Sequence, residues 1–448
     1  MKIHTLSEES PSRFHDELPE SVETVVIGAG IVGVSTAWHL AQKGRSVLLC
    51  EKGRVAGEQS SRNWGWIRQQ GRDPDELPIM MEASRLWGGM DRETGEDCGF
   101  QREGVIYLAS DEKKLAQLEA WLEVARQHQL DTRMLSATEI ESMMDCRPGQ
   151  WLGGLYTASD GRAEPWKAVP AMAVAARRAG VKIRENCAVR TIEQTAGVVS
   201  AVVTESGPVR CERVVLAAGA WSSLFLGNLD LQLPQLAVRS TVAATGPAPD
   251  VFNGNAADEK IAFRRRQDGG YSLALCDFRE HYIGKSSFRY FKPFIPAIAD
   301  DWRSTRLRPS APANYPDAWG TARRWRADQV TPFEQTRVLN PMANRGCVER
   351  MKSRIAERFP ALAGVEIKEA WAGMIETTPD IVPVIDALDS PRGLVLATGF
   401  SGHGFGIGPA AGKLVAELVC GQAVAHDLHR FRFSRFSDGS KMNLGPAL

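Results

Sequence analysis

An α/β fold organised round a parallel sheet is what this sequence predicts, on three observations. Val22 to Ile27 is a short, β-branched apolar run, the composition of a strand covered on both faces. A glycine-spaced turn follows it, then a helical segment and a second apolar run, the order of a strand–helix–strand unit. The chain has 448 residues, enough for two or three domains or one interleaved pair, and it can bury a large core without staples.

Each piece of the first unit has a physical task. The turn is Gly28-Ala29-Gly30-Ile31-Val32-Gly33, a G-x-G-x-x-G. Gly28 permits the tight exit from the strand, Gly30 lets the backbone approach a pyrophosphate, and Gly33 lets helix and strand pack closely. Val34 to Lys43 is the predicted helix, with Gly44 as its stop. Its N-terminus offers unpaired N–H groups and a positive dipole end to phosphates. Ser46 to Cys50 is the second strand and ends at Glu51, where a carboxylate accepts both ribose hydroxyls of an adenosine. An ordinary glycine-rich turn is the competing reading, and it leaves the register of strand, helix, strand and acid unexplained. The acid argues against a 2′-phosphate, so FAD or NAD is expected rather than NADP.

Composition excludes other classes. Lys plus Arg and Asp plus Glu both number 54, so the net charge is zero and nothing points to nucleic acid or an anionic membrane as partner. The cluster Arg264-Arg265-Arg266 is too short to change this and is expected on a solvated face. The eight cysteines include no C-x-x-C pair, so no zinc, iron–sulfur or other metal site is expected. Dispersed thiols suit a reducing, cytoplasmic setting. No run approaches about eighteen apolar residues, so no membrane span is expected. Met1 to Glu20 lacks the apolar core of a signal peptide and is expected to be a mobile lead-in.

The stretch Glu51-Lys52-Gly53-Arg54 … Gln59-Ser60-Ser61-Arg62-Asn63-Trp64-Gly65-Trp66 resembles the D-amino-acid oxidase superfamily of FAD enzymes. That group includes glycine and sarcosine oxidases, opine-oxidising enzymes and amino-acid deaminases. The resemblance implies that Lys52 and Gln59 to Trp64 wrap the pyrophosphate and ribityl chain of an extended FAD. Three further segments are similar to the family. Asn186 to Ile192 resembles the strand whose Val189 backbone holds the adenine. Arg213 to Trp221 resembles the return strand, with Ala218, Gly219 and Trp221 near the cofactor. Leu394 to Gly408 resembles the glycine-rich stretch under the flavin pyrimidine, and opens a helix expected from about Pro409 to Leu418. This last segment also has its own logic. When flavin takes a hydride, negative charge collects at N1 and the C2 carbonyl, and a helix N-terminus stabilises it. Gly402, Gly404, Gly406 and Gly408 allow the close approach.

The resemblance runs from Val22 to about Val424 and implies a Rossmann-like FAD-binding domain interleaved with an α+β substrate domain built on a large antiparallel sheet. The expected division is 22–86, 150–226 and 366–430 for the FAD domain, 87–149 and 227–365 for the substrate domain, with terminal extensions at 1–21 and 431–448. Independent support is modest. Asp111 to Gln129 has helical apolar spacing, and Gly269 to Ile283 alternates like half-buried strands. Glu164-Pro165 and the alanine-rich run to Ala179 read as a capped helix, and Asp160-Gly161 as a tight turn.

The expected reaction is oxidation of the C–N bond of an amino acid or related amine by hydride transfer to flavin, with oxygen or another acceptor taking the electrons. The flavin carries the redox chemistry, and the protein must hold the carboxylate and favour the neutral amine. Arg68, in Trp66-Ile67-Arg68, is the carboxylate-binding candidate, because a planar guanidinium suits bidentate contact; a structural ion pair is the alternative. His403 and Phe405 stand in a run, Gly399 to Phe405, that resembles sarcosine oxidases, where the histidine lies near flavin and substrate. Trp371 to Pro383 resembles the family's T-P-D segment with departures. Ile375 stands where relatives have a carboxylate-binding arginine, Gly373 where some have a flavin-linking cysteine, and Gly406 where some have a lysine. The FAD is therefore expected to be non-covalent and the carboxylate to be held differently. Glu376 is expected to face solvent, Trp64, Trp66 and Trp221 to shape the pocket, and Arg323 to Arg326 to be a weak candidate for a second cation. The main alternative is the FAD-bearing subunit of a multi-subunit sarcosine- or opine-type dehydrogenase; a homo-oligomer is equally open.

Overall fold

The run at 22–27 forms the strand Ser21–Ile27, in the middle of an eight-stranded sheet. The structure is a computed structural model and describes residues 4–444. The sheet order is Val384–Ala387, Leu394–Thr398, Gly207–Leu216, Ser21–Ile27, Val47–Cys50, Lys182–Arg184, with a hairpin at Val189–Thr195 and Val198–Thr204 leaning on Gly207–Leu216. The pairings from Leu394–Thr398 through to Lys182–Arg184 are parallel. Side chains alternate across it. Val26, Leu49 and Val215 pack into a layer with the helices Ile31–Gln42, Pro165–Arg178 and Gly404–Val419. Val25, Leu48 and Val214 face the other layer, with Val202 of the hairpin and Phe225 of the helix Ser222–Asn228. Cover on both faces is why these strands read as unbroken apolar runs.

A ten-stranded, largely antiparallel sheet forms the second layer system, in the order Thr305–Arg308, Arg279–Tyr282, Leu236–Thr245, Tyr271–Leu275, Ile261–Arg265, Asn255–Ala257, Val105–Ala109, Gly153–Thr157, Thr132–Ser136. Leu236–Thr245 also pairs along nearly its whole length with Ile367–Thr377. Strands 153–157 and 367–377, which the expected division groups with the first sheet, thus hydrogen-bond into the second. The predicted amphipathic helix is Glu112–Gln127; Asp111 accepts from the Lys114 N–H at 2.8 Å and caps it.

Four local expectations change. The first helix begins at Ile31, inside the glycine motif, so Gly30 is its N-cap. The C-terminal helix begins at Gly404, so Gly404 to Gly408 of the glycine-rich stretch form its first turn and not a loop before it. Residues 4–16 are no loose lead-in. His4 and Phe14 are buried, His4 Nδ1 lies 3.0 Å from Glu369, and the Leu6 carbonyl accepts from Arg62 at 2.9 Å. Arg264 and Arg266 are buried, because strand period turns Arg264 inward to Glu164 at 2.9 Å, while Arg266 donates to the Thr245 carbonyl. Met1 to Ile3 and residues 445–448 of the terminal extensions lie outside the described residues.

Candidate active site between the two sheets

A cavity of about 1220 Å³ runs from the carboxyl ends of the parallel strands to the inner face of the second sheet. That exceeds the roughly 300–1000 Å³ usual for a small ligand. One end is lined by Glu51, Cys187 and Val189, the middle by Gly28, Gly30, Ala218 and Gly219, and the far part by Arg68, Tyr107, Gly402 and His403.

At the first end, Gly28 has φ +100° and a Cβ there would stand 2.5 Å from the Ala217 carbonyl. Gly33 stands behind the wall; a Cβ on it would lie 1.9 Å from the Gly28 carbonyl. The Ile31 N–H donates to Ser60 Oγ at 2.9 Å, while the N–H groups of Val32 and Gly33 have no partner among the described residues. Glu51 accepts from Ala29 N–H at 2.9 Å and Gly53 N–H at 2.8 Å. Burial pushes its carboxyl up to about 7 against the pull of Lys52 and these two bonds.

The stretch 58–64 packs beside the turn. Gln59, Ser60, Arg62, Asn63 and Trp64 line the cavity, whereas Ser61 is fully buried and accepts from the Leu6 N–H. Arg62 spends its guanidinium on Asn340 and on the carbonyls of Leu6, Gly57 and Ala372. Asn63 closes the short helix Gln59–Arg62 by donating to the Gln59 and Ser60 carbonyls. Lys52 donates to Glu58 at 2.6 Å and lies over the Trp221 ring, whose Nε1 donates to the same carboxylate at 3.0 Å. Glu58, which sequence reading passed over, joins the Lys52 and Trp221 segments.

At the far part, the Trp66 ring stands edge-on to Trp64 and to Tyr107, with centroids 5.6 and 6.0 Å apart. The Arg68 guanidinium sits over the Tyr107 ring at 5.5 Å and donates one bond to the Gln70 carbonyl, leaving other donors toward the cavity. Asp160, read as part of a plain turn, is buried and accepts from the N–H groups of Gln69 and Gln70, fixing the chain on which Arg68 sits. Gly373 faces the cavity, and a Cβ there would meet nothing closer than Arg62 at 3.5 Å. Phe405 is buried against Trp87, and the Gly406 carbonyl accepts from the Trp87 indole at 2.8 Å.

Three charged groups here were misread or missed in the sequence. Glu376 does not face solvent. It is 4% exposed, lines the cavity, and burial pushes its carboxyl up to about 7. Position 406 itself carries no cation, but Arg72 brings one close by: its Nη2 lies 3.5 Å from where a Gly406 Cβ would stand. Arg72 is buried, its Nη1 has no hydrogen-bond partner among the described residues, and burial lowers the guanidinium to about 10. Glu76, on the segment leading into the helix Leu77–Thr94, is fully buried with its Oε2 3.4 Å from His403 Nδ1. Arg323 to Arg326 do not line the cavity; Arg323 pairs with Asp317 and Arg324 with Asp230.

The described residues contain no group of three or more His, Cys, Asp or Glu placed to hold a metal, and no helix long and apolar enough to cross a membrane. All eight cysteines are unpaired.

The profile of the DAO family, described as FAD dependent oxidoreductase, matches residues 23–418. The chain belongs to this family. FAD is its cofactor, and the glycine-cleared cavity, lined at one end by Glu51, has room for an extended dinucleotide. This DAO-family chain is similar to the L-amino acid deaminase from Proteus myxofaciens, a structure determined with anthranilate, at 31% identity, TM-score 0.91, and 97% and 98% coverage of the two chains. It is also 25% identical to glycine oxidase of Bacillus subtilis over 92% of this chain and 97% of the relative. With the mitochondrial dimethylglycine dehydrogenase of Rattus norvegicus it shares 26% identity over 90% of its own length, and there it spans less than half of the relative, 43%.

Proposed function

We propose that this protein oxidises the C–N bond of an α-amino acid, primary or N-substituted, giving an imine that hydrolyses to an oxo acid and an amine or ammonia. Bound FAD supplies the hydride acceptor. The observation that carries the reading is one continuous cavity joining the Glu51 end, where the adenosine would be held, to Arg68 and His403, where an amino acid would lie. Gly30, Val32 and Ser60 would hold the pyrophosphate, and Gly402 to Gly406 the flavin ring, without a covalent link through Gly373.

Arg68 binds the substrate carboxylate in this reading, and its stacking on Tyr107 fixes the plane of the guanidinium. His403, driven down to about 4 by burial and by Arg72, is neutral at neutral pH and accepts a hydrogen bond from the amine. The cations Arg68 and Arg72 favour an uncharged amine nitrogen, the form with the lone pair needed to expel hydride. Tryptophans 64 and 66 wall the site against water. The 31% identity to an L-amino acid deaminase makes L-amino acids the first substrates to try.

The test is an anaerobic absorbance titration of the purified holoprotein with L-, D- and N-alkyl amino acids. Bleaching of the flavin band by one class supports the reading; a colourless protein that takes up no added FAD refutes it. A specific observation favours the second reading, a subunit that needs partner chains. Phe288, Phe291, Ile295, Ile298 and Trp302 are all exposed on one segment beside the cavity. A yellow protein that no amino acid bleaches until partner chains are added would establish it.

A further inference from the structure

Glu76 is a charged group that the proposed chemistry does not use, yet it is wholly enclosed. It is 0% exposed, neither carboxylate oxygen has a hydrogen-bond partner among the described residues, and His403 Nδ1 lies 3.4 Å from its Oε2. His403 Nδ1 is likewise buried without any other partner. The ring lines the cavity and its side chain is 23% exposed, so Nε2 is the nitrogen on the open side. Burial opposes ionisation of Glu76, yet the neighbouring His403, and after it the cations Arg72 and Arg68, hold its carboxyl below the ordinary range. A buried carboxylate facing one ring nitrogen takes the proton on that nitrogen and leaves the other as an acceptor.

Resting on the amino-acid reading above, we propose that Glu76 is a positioning residue: it holds His403 as the Nδ1–H tautomer, so that Nε2 presents a lone pair to the substrate amine. Without Glu76 the imidazole reverts to Nε2–H and offers the amine a donor where it needs an acceptor. The specificity of the site for an N–H-bearing substrate over a plain carboxylate then depends on a residue that never touches the substrate.

The test uses FAD-loaded protein, ¹⁵N-histidine NMR and two probes, anthranilate, which carries an amine, and benzoate, which does not. His403 is assigned by the signals lost in His403→Asn. The wild type should show Nδ1–H, Glu76→Gln should retain it through its remaining carbonyl acceptor, and Glu76→Leu should show Nε2–H. Read by flavin absorbance, Glu76→Leu should weaken anthranilate about tenfold, one lost hydrogen bond, and leave benzoate unchanged. Nε2–H in the wild type overturns the proposal without any variant. Equal weakening of both probes in Glu76→Leu overturns it too, since that is the mark of a structural role. If the yellow wild type binds neither probe, the amino-acid reading fails and takes this inference with it; if it binds both and Glu76→Leu keeps their ratio, only the role of Glu76 fails.

Discussion

At the scale of single residues the site is an arrangement of charges at different costs. Arg68 keeps free donors toward the cavity and pays little desolvation, since it is only half-buried over Tyr107. Arg72 is buried beside it with one nitrogen unpaired, and Glu76 supplies the opposite charge. The division of labour predicts unequal variants. Arg68→Ala should raise KM for carboxylate substrates roughly 10- to 100-fold, the worth of one charge-assisted contact, and barely change KM for simple amines. Steady-state kinetics on an amino acid and its decarboxylated amine check this; an equal effect on both would show that Arg68 does not bind the carboxylate. That Arg68 would lie at the cavity was legible because it stands inside a recognisable stretch. Arg72 and Glu76 were not, because Gly71 to Glu76 reads as a polar loop. Nothing in its composition reveals that tertiary packing encloses it.

At the scale of elements the cofactor wall depends on how closely two helices approach. Ile31–Gln42 and Gly404–Val419 pack on the same face of the parallel sheet, and both present N-termini to the cavity. Gly408 and Gly412 let them meet: a Cβ on Gly412 would stand 2.3 Å from Ser35 Cβ, and one on Gly408 would stand 2.9 Å from the Ile31 side chain. Gly412→Val should therefore force the helices apart, costing about 1–3 kcal/mol or more. The expected result is a lower Tm and weaker FAD retention, measured by thermal melting and by the flavin-to-protein absorbance ratio after dialysis. Unchanged FAD content would show that the wall tolerates a shifted helix. The sequence marked Gly408 as part of a cofactor stretch, but the helix boundary was missed by several residues. Four glycines in the run from 402 to 408 disfavour a helix by propensity, and packing against Ile31 and Ser35 overrides that.

At the scale of the whole molecule, enclosing a long polar cavity leaves carboxylates in unfavourable places. Burial pushes Glu51 and Glu376 up to about 7 from an ordinary 4.5, and Asp160 up to about 6 from 3.8. Between the ordinary and the raised values the folded chain binds more protons than the unfolded one, so these groups make stability fall as pH rises from about 4 to about 7. In the proposed binding mode ribose hydroxyls would donate to Glu51, favour its ionised form and offset part of that loss. The gain in Tm on adding FAD should therefore be larger at about pH 8 than at about pH 5, while contributions common to both states cancel. Melting curves of FAD-free and FAD-loaded protein across that range check it, and a gain that shrinks as pH rises would place the ribose away from Glu51.

The sequence by itself determined the parallel unit, the glycine-spaced turn, the acid at the second strand end and the family, because those depend on local order: a strand, three spaced glycines, a helix and a carboxylate in register. Sheet membership of 153–157 and 367–377, the inward turn of Arg264, the docking of residues 4–16 and the enclosure of Glu76 and Glu376 were decided only by the tertiary structure. Each of these depends on which distant segment arrives opposite. His4 meets Glu369, Arg264 meets Glu164, and Glu76 meets His403 across long stretches of chain. A charge is affordable in the interior only when its partner is already there, and that partner is supplied by the fold and not by neighbours in sequence.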